Sequence, residues 1–124
     1  MKASEENNVY VLIITNSFID RTWHQVEEFA TLVTDAGYKP VLALSQKVET
    51  PNPATYLGSG FVDKVNEALR YYSSNNPEIA GNLIVATGFD LTGTQRANLK
   101  KRLGVEVIDR TFVILKIFEN NHPC

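Results

Sequence analysis

The sequence predicts an α/β domain built on a four-stranded, mainly parallel sheet, with helices on both faces and strand order 2-1-3-4. Three observations predict it. Short apolar runs rich in β-branched residues recur at residues 9–14, 41–44, 83–86 and 105–108. Between them lie segments whose apolar residues stand three and four apart, as one face of a helix requires. Capping and stop residues bound those segments. Strands alternating with helices in this way form βαβ units, and right-handed crossovers put helices on both sides of the sheet.

Each element follows in order. Residues 9–14 are apolar throughout, the pattern of a strand covered on both faces. Thr22 followed by Gln25 fits a capping box; Val26, Phe29, Ala30 and Val33 then fall at helical spacing, and Gly37 supplies the stop. Residues 41–44 form a second strand, and residues 45–57, with Pro51 and Pro53 and no period, read as a loop. Gly58, Ser59 and Gly60 open a second helix, with Phe61, Val62, Val65, Ala68, Leu69 and Tyr72 on one stripe. Residues 73–77 end it, and residues 83–86 make the third strand. Thr92 and Gln95 form a second capping-box pattern, heading a helix with Leu99 and Leu103 that stops at Gly104. Residues 105–108 are the fourth strand. Residues 112–118 are apolar nearly all round, so periodicity does not separate strand from helix there. One face of a small domain cannot cover both sides of that segment, which makes 112–118 a candidate surface for self-association as a homodimer. The domain is expected over residues 9–118, with a flexible start at 1–8 and a tail at 119–124.

The totals exclude several classes. A length of 124 residues suits one domain, and 44% apolar with 21% charged residues is a globular balance. A net charge of −2 gives no general attraction to nucleic acid or anionic membranes. No apolar run is long enough to cross a bilayer, so no membrane partner is expected. No signal peptide pattern is visible, and the single cysteine, Cys124, excludes a disulfide framework within one chain. The expected location is the cytoplasm.

Chemistry is sparse. No G-x-x-x-x-G-K-[ST] loop is present, so ordinary GTPase chemistry is not expected. His24 and His122 have no second ligand at a metal spacing, no metal is assigned, and no serine sits in a nucleophile elbow. Neither a catalytic residue nor an enzyme is therefore predicted. Gly58, Ser59 and Gly60 would let a phosphate approach free N–H groups at a helix start, although two glycines there serve a plain turn equally well. Gln95, Arg96 and Asn98 form a polar cluster, with Gln95 also the return arm of the capping box. Arg96, Lys100, Lys101 and Arg102 make a basic patch, suited either to RNA phosphate or to the negative end of the helix dipole. Asp109, Arg110 and Thr111 follow a buried strand directly, where they either meet a ligand or form an ion pair that fixes the turn.

These stretches, in this order, resemble the N-terminal domain of the HflX family of ribosome-associated GTPases. The likeness is carried by residues 28–33 with Ala36 and Gly37, by residues 53–60, by residues 95–99, and by residues 107–111 followed by Ile114, Leu115, Ile117 and Phe118. It implies association with the large ribosomal subunit, and adenine nucleotide binding, which some members are reported to show. It also places Gly58, Gly60, Gln95, Arg96, Asn98, Asp109 and Arg110 at the family's motif positions. Phe61 and Phe112 depart from the family pattern, which usually has a basic residue and a glycine there. The family continues into a helical pair and a GTPase domain where this chain stops, so a free-standing regulatory module is expected. An adenine or guanine nucleotide is the candidate ligand, and the large subunit or a separate GTPase the candidate partner. A weak nucleotide hydrolase and a self-associating interaction module are the alternatives.

Overall fold

A computed structural model describes residues 8–19 and 24–121. The expected flexible start (apart from residue 8), the Thr22 end of the first capping box and the last three residues of the expected tail lie outside them. In chain order the elements are β1 (Tyr10–Asn16), α1 (His24–Asp35), β2 (Lys39–Gln46), α2 (Ser59–Asn75), a short 3-10 turn (Ala80–Asn82), β3 (Leu83–Thr87), α3 (Gly93–Leu103), β4 (Val107–Ile108) and α4 (Arg110–Asn121). The sheet has the order β2-β1-β3-β4 and every pairing is parallel, as the sequence predicted.

Alternation along β1 explains why the sheet is covered twice. Val11 and Ile13 point to one side, where they pack with Phe29 and Val33 of α1 and Val113 of α4. Leu12 and Ile14 point to the other, against Val62, Val65 and Leu69 of α2 and Leu99 and Leu103 of α3. Each fully buried Leu, Val or Phe contributes about 1.5–3 kcal/mol, so these two layers, not surface pairs, hold the fold. Gly37, at φ 98°, lets the chain turn out of α1 in a conformation that side chains resist.

The segment whose period was ambiguous is helical: α4 runs through Asn121, past the expected domain end at 118. Val113 is its buried residue, whereas Phe112 and Leu115 are 43% and 57% exposed. Asn120 ties the far end down by donating to the Ala36 carbonyl at 2.9 Å. The fourth strand is shorter than expected and includes only Val107 and Ile108, although the Glu106 carbonyl still accepts from the Val85 N–H.

The chain leaves β1 toward β2 but leaves β3 toward β4, in opposite directions across the sheet. The crevice outside the carboxyl ends of β1 and β3 is therefore the topological switch point, where open α/β sheets take their ligands. No helix among the described residues is long and apolar enough to cross a membrane.

Candidate functional site

Of the helices that start at that edge, α2 and α3 carry the predicted glycine and polar motifs at their heads. At the head of α3, Thr92 accepts from the Gln95 N–H at 3.0 Å, and the Gln95 carboxamide oxygen accepts from the Thr92 N–H at 2.9 Å. The reciprocal capping box is complete, and it satisfies donors that a helix start otherwise leaves open. Gln95 is buried and its amide nitrogen also donates to the Asn52 carbonyl at 2.9 Å. One turn on, Asn98 donates to the Ala54 carbonyl at 2.9 Å. Thus two predicted binding residues clamp the loop that precedes α2.

The head of α2 is different. Gly58 occupies the N-cap position with φ −68° and ψ 152°, and no side chain caps the helix. Its own N–H donates to the Gln46 carboxamide oxygen at 3.3 Å. The next donors, on Ser59, Gly60 and Phe61, precede the first intrahelical bond, which runs from the Val62 N–H to the Gly58 carbonyl. A methyl group on Gly60 would meet nothing within 4 Å. Neither glycine has a positive φ, so the turn itself does not demand them. Gly58 borders an open hollow of about 390 Å³, lined also by Gln46, Lys47, Asn52 and Tyr56.

The loop before α2 is held by two residues that sequence reasoning did not single out as site residues. Asn16, buried at the end of β1, donates to the Val48 carbonyl and the Tyr56 hydroxyl and accepts from the Val48 and Phe18 N–H groups, all at 2.9–3.0 Å. Tyr56 is the one non-glycine residue at positive φ among the described residues, at 69°. Its backbone exchanges two hydrogen bonds with Asn52, and its ring stacks on Phe89 with centroids 3.8 Å apart. An asparagine closing a buried strand was a readable signal for Asn16; a tyrosine in a glycine-like conformation carries none.

Asp109, Arg110 and Thr111 meet β4's end, but not as a mutual ion pair. Asp109 accepts from the Phe112 N–H at 3.0 Å, opening α4, and from the Leu91 N–H at 3.1 Å. Arg110 reaches Glu28 of α1 at 3.5 Å. Thr111 donates through its N–H and its hydroxyl to Asp90, at 3.0 and 2.6 Å. Arg110 lines a second open hollow with Ile19, Gln25, Glu28, Gly88, Phe89 and Asp90, at the switch point. Gln95 and Asn98 therefore join the Gly58 loop, whereas Arg110 faces a separate hollow and Thr111 is bonded to a residue that lines it; the Tyr56–Phe89 stack stands between the two.

The basic patch on α3 is largely paired. Arg96 and Lys100 both contact Glu106, at 2.6 and 2.9 Å, and Arg102 approaches Asp63 at 3.5 Å. Arg96 also donates through Nε to the Val107 carbonyl. The hydrogen bond from Lys100, aided by the charges of Lys100 and Arg96, holds the Glu106 carboxyl below its ordinary value against the opposing effect of burial.

A four-stranded parallel sheet in the order β2-β1-β3-β4, with helices on both faces, defines the class as an open-sheet α/β domain. A sequence profile of the family described as GTP-binding GTPase N-terminal matches residues 23–119, and the chain belongs to that family. The GTPase HflX of Flavobacterium psychrophilum is 32% identical over 114 residues, covering 91% of this chain and 26% of the relative. The GTPase HflX of Caldanaerobacter subterraneus is 32% identical over 92% of this chain and 24% of its own length. The chain thus spans about a quarter of the curated relatives it matches. A GTP-binding protein from Sulfolobus solfataricus, solved in complex with GDP, shares the fold with a TM-score of 0.59 at 20% identity, over 90% of this chain and 30% of that one.

Proposed function

We propose that this chain is a non-catalytic regulatory module that takes up an adenine or guanine nucleotide at the hollow beside Gly58, in association with the large ribosomal subunit or a GTPase partner. One observation carries the reading: α2 starts without a side-chain cap, beside a hollow, with N–H groups open and room left at Gly60. A helix start of that kind favours phosphate through both its donors and its dipole. The names of the relatives, GTPases and a GDP complex, point to the same ligand class. The non-catalytic part is supported by the lining of the hollow: its carboxylate, Glu49, lies 3.9 Å from Lys47, and no histidine borders it.

Thermal melting with ATP, ADP, GTP and GDP in turn tests it. A nucleotide at ten times its dissociation constant should stabilise the native state by roughly 1.4 kcal/mol. Gly60→Ala should reduce that gain without lowering the melting point of the ligand-free protein. No shift with any of the four at millimolar concentration overturns the nucleotide reading. Cosedimentation with ribosomes tests the partner. Because Arg96, Lys100 and Arg102 are paired within the domain, that association should depend weakly on salt.

A second reading is favoured by the exposed Phe112 and Leu115 on α4, a pair suited to self-association. Sedimentation velocity would show a dimer that Leu115→Glu dissociates; a monomer at every concentration would exclude it.

A further inference from the structure

The two hollows at the rim are joined through one aromatic contact, and what that contact touches on either side is well defined. On one side Tyr56 borders the hollow beside Gly58. On the other, Phe89 borders the hollow that contains Arg110. We propose that the Tyr56–Phe89 stack is a mechanical link, through which a nucleotide beside Gly58 alters the start of α4. The proposal rests on the nucleotide reading above and adds regulation to it.

Tyr56 has little freedom to absorb a displacement. A left-handed conformation costs a side-chain-bearing residue about 1–3 kcal/mol and persists only where its surroundings over-determine it. Here they do: the paired bonds with Asn52 at 2.7 and 3.0 Å, the hydroxyl on Asn16 at 3.0 Å, and the ring on Phe89. Asn52 and Ala54 are themselves held by Gln95 and Asn98 of α3. An occupant that shifts the 46–58 loop must therefore move Tyr56 as a unit or break several of these bonds together. Both rings are buried, at 8% and 6% exposure, and packed interiors switch between arrangements instead of deforming smoothly.

The two residues after Phe89, Asp90 and Leu91, are hydrogen-bonded to the start of α4. Asp90 accepts both bonds from Thr111, and the Leu91 N–H donates to Asp109, whose other oxygen caps Phe112. Movement of Phe89 thus reaches the first turn of α4, which presents Phe112 to solvent. The consequence is a ligand-dependent partner surface: nucleotide at one rim hollow sets the order of the apolar helix face beyond the other.

Hydrogen exchange of the full chain, with and without millimolar ATP and GTP, tests the link. In the parent, exchange should change in peptides covering 48–61 and also in those covering 109–115, the latter by roughly fivefold, the lower end of common coupling strengths. Asp90→Ala removes both Thr111 bonds at an exposed position and leaves the Leu91–Asp109 bond, so it should keep the change at 48–61 while weakening the one at 109–115. Phe89→Leu should do the same from the other end of the link. A parent that responds at 48–61 but not at 109–115 overturns the link and leaves nucleotide binding standing. So does a response at 109–115 that is undiminished in both variants. A parent silent at 48–61 overturns the nucleotide reading, and the link falls with it.

Discussion

The helices α2 and α3 start beside the same edge of the sheet and start in opposite ways. At α3 the capping box is closed, and Gln95 and Asn98 spend their side chains on the capping box and on the loop carbonyls of Asn52 and Ala54. At α2 the cap is Gly58, no side chain closes the helix, and Gly60 faces open space. Both starts read from sequence as polar or glycine-rich motifs at a ligand-favoured edge. The difference teaches where function has room. Polar groups that satisfy the fold's own donors and acceptors are already engaged, and a ligand must displace them; groups the fold leaves open can take a ligand at no such cost.

The comparison breaks most readily at Gln95. Gln95→Ala would remove the return arm of the cap and leave the Asn52 carbonyl with only the Tyr56 N–H as partner. Two bonds at a buried position make a loss of about 2 kcal/mol the expected outcome in urea denaturation. A loss below about 0.5 kcal/mol, the range of ordinary surface changes, would show that the α3 start is not structurally committed.

Glycines sharpen the contrast at smaller magnitude. Gly104 ends α3 at φ 73°, with its N–H on the Lys100 carbonyl, so Gly104→Ala should cost about 1 kcal/mol through backbone strain. Gly60 is helical and unobstructed, so Gly60→Ala should stabilise the free protein by about 0.5 kcal/mol while weakening nucleotide binding. Chemical denaturation of the two variants side by side reads both signs. A destabilising Gly60→Ala would mean that the glycine serves the fold after all.

Much of this was legible in the sequence, and what was not has physical causes. The alternation of strands and helices, and helices on both faces, followed from apolar runs and crossover handedness; the order 2-1-3-4 was the simplest arrangement compatible with them, and it is the one observed. The Thr92–Gln95 box was readable since capping is local, three residues apart. Helix α4 was not separable from a strand: Phe112, Leu115 and Phe118 stay exposed while Val113 is buried, so polarity does not mark its outer face. The roles of Gln95, Asn98 and Asp109 were hidden for a different reason. Their partners lie 43, 44 and 18 residues away, and a contact of that range leaves no mark in local spacing. Tyr56 was the least visible, since nothing in the residue type announces a left-handed backbone.

The smallest effect concerns the acidic centre of the α3 patch, and its sign can be worked out. Glu106 is held below its ordinary value of 4.5, first by the Lys100 hydrogen bond and then by the nearby charges of Lys100 and Arg96. A carboxyl depressed in the folded state binds fewer protons there than in the unfolded chain. Its contribution is therefore complete above the unfolded carboxylate range and is lost as pH falls through the lowered folded value. The side chain is 38% exposed, so water and salt screen the pair and the contribution should be only a few tenths, about 0.3–0.5 kcal/mol. Glu106→Gln should make the denaturation midpoint slightly less sensitive to pH below 4.5 and leave Arg96 and Lys100 without their carboxylate. Freeing those cations should also steepen the salt dependence of any ribosome association. If the variant sediments with ribosomes no more strongly at low salt than the parent does, the paired patch has no latent affinity for RNA, and α3 is structural along its whole outer face.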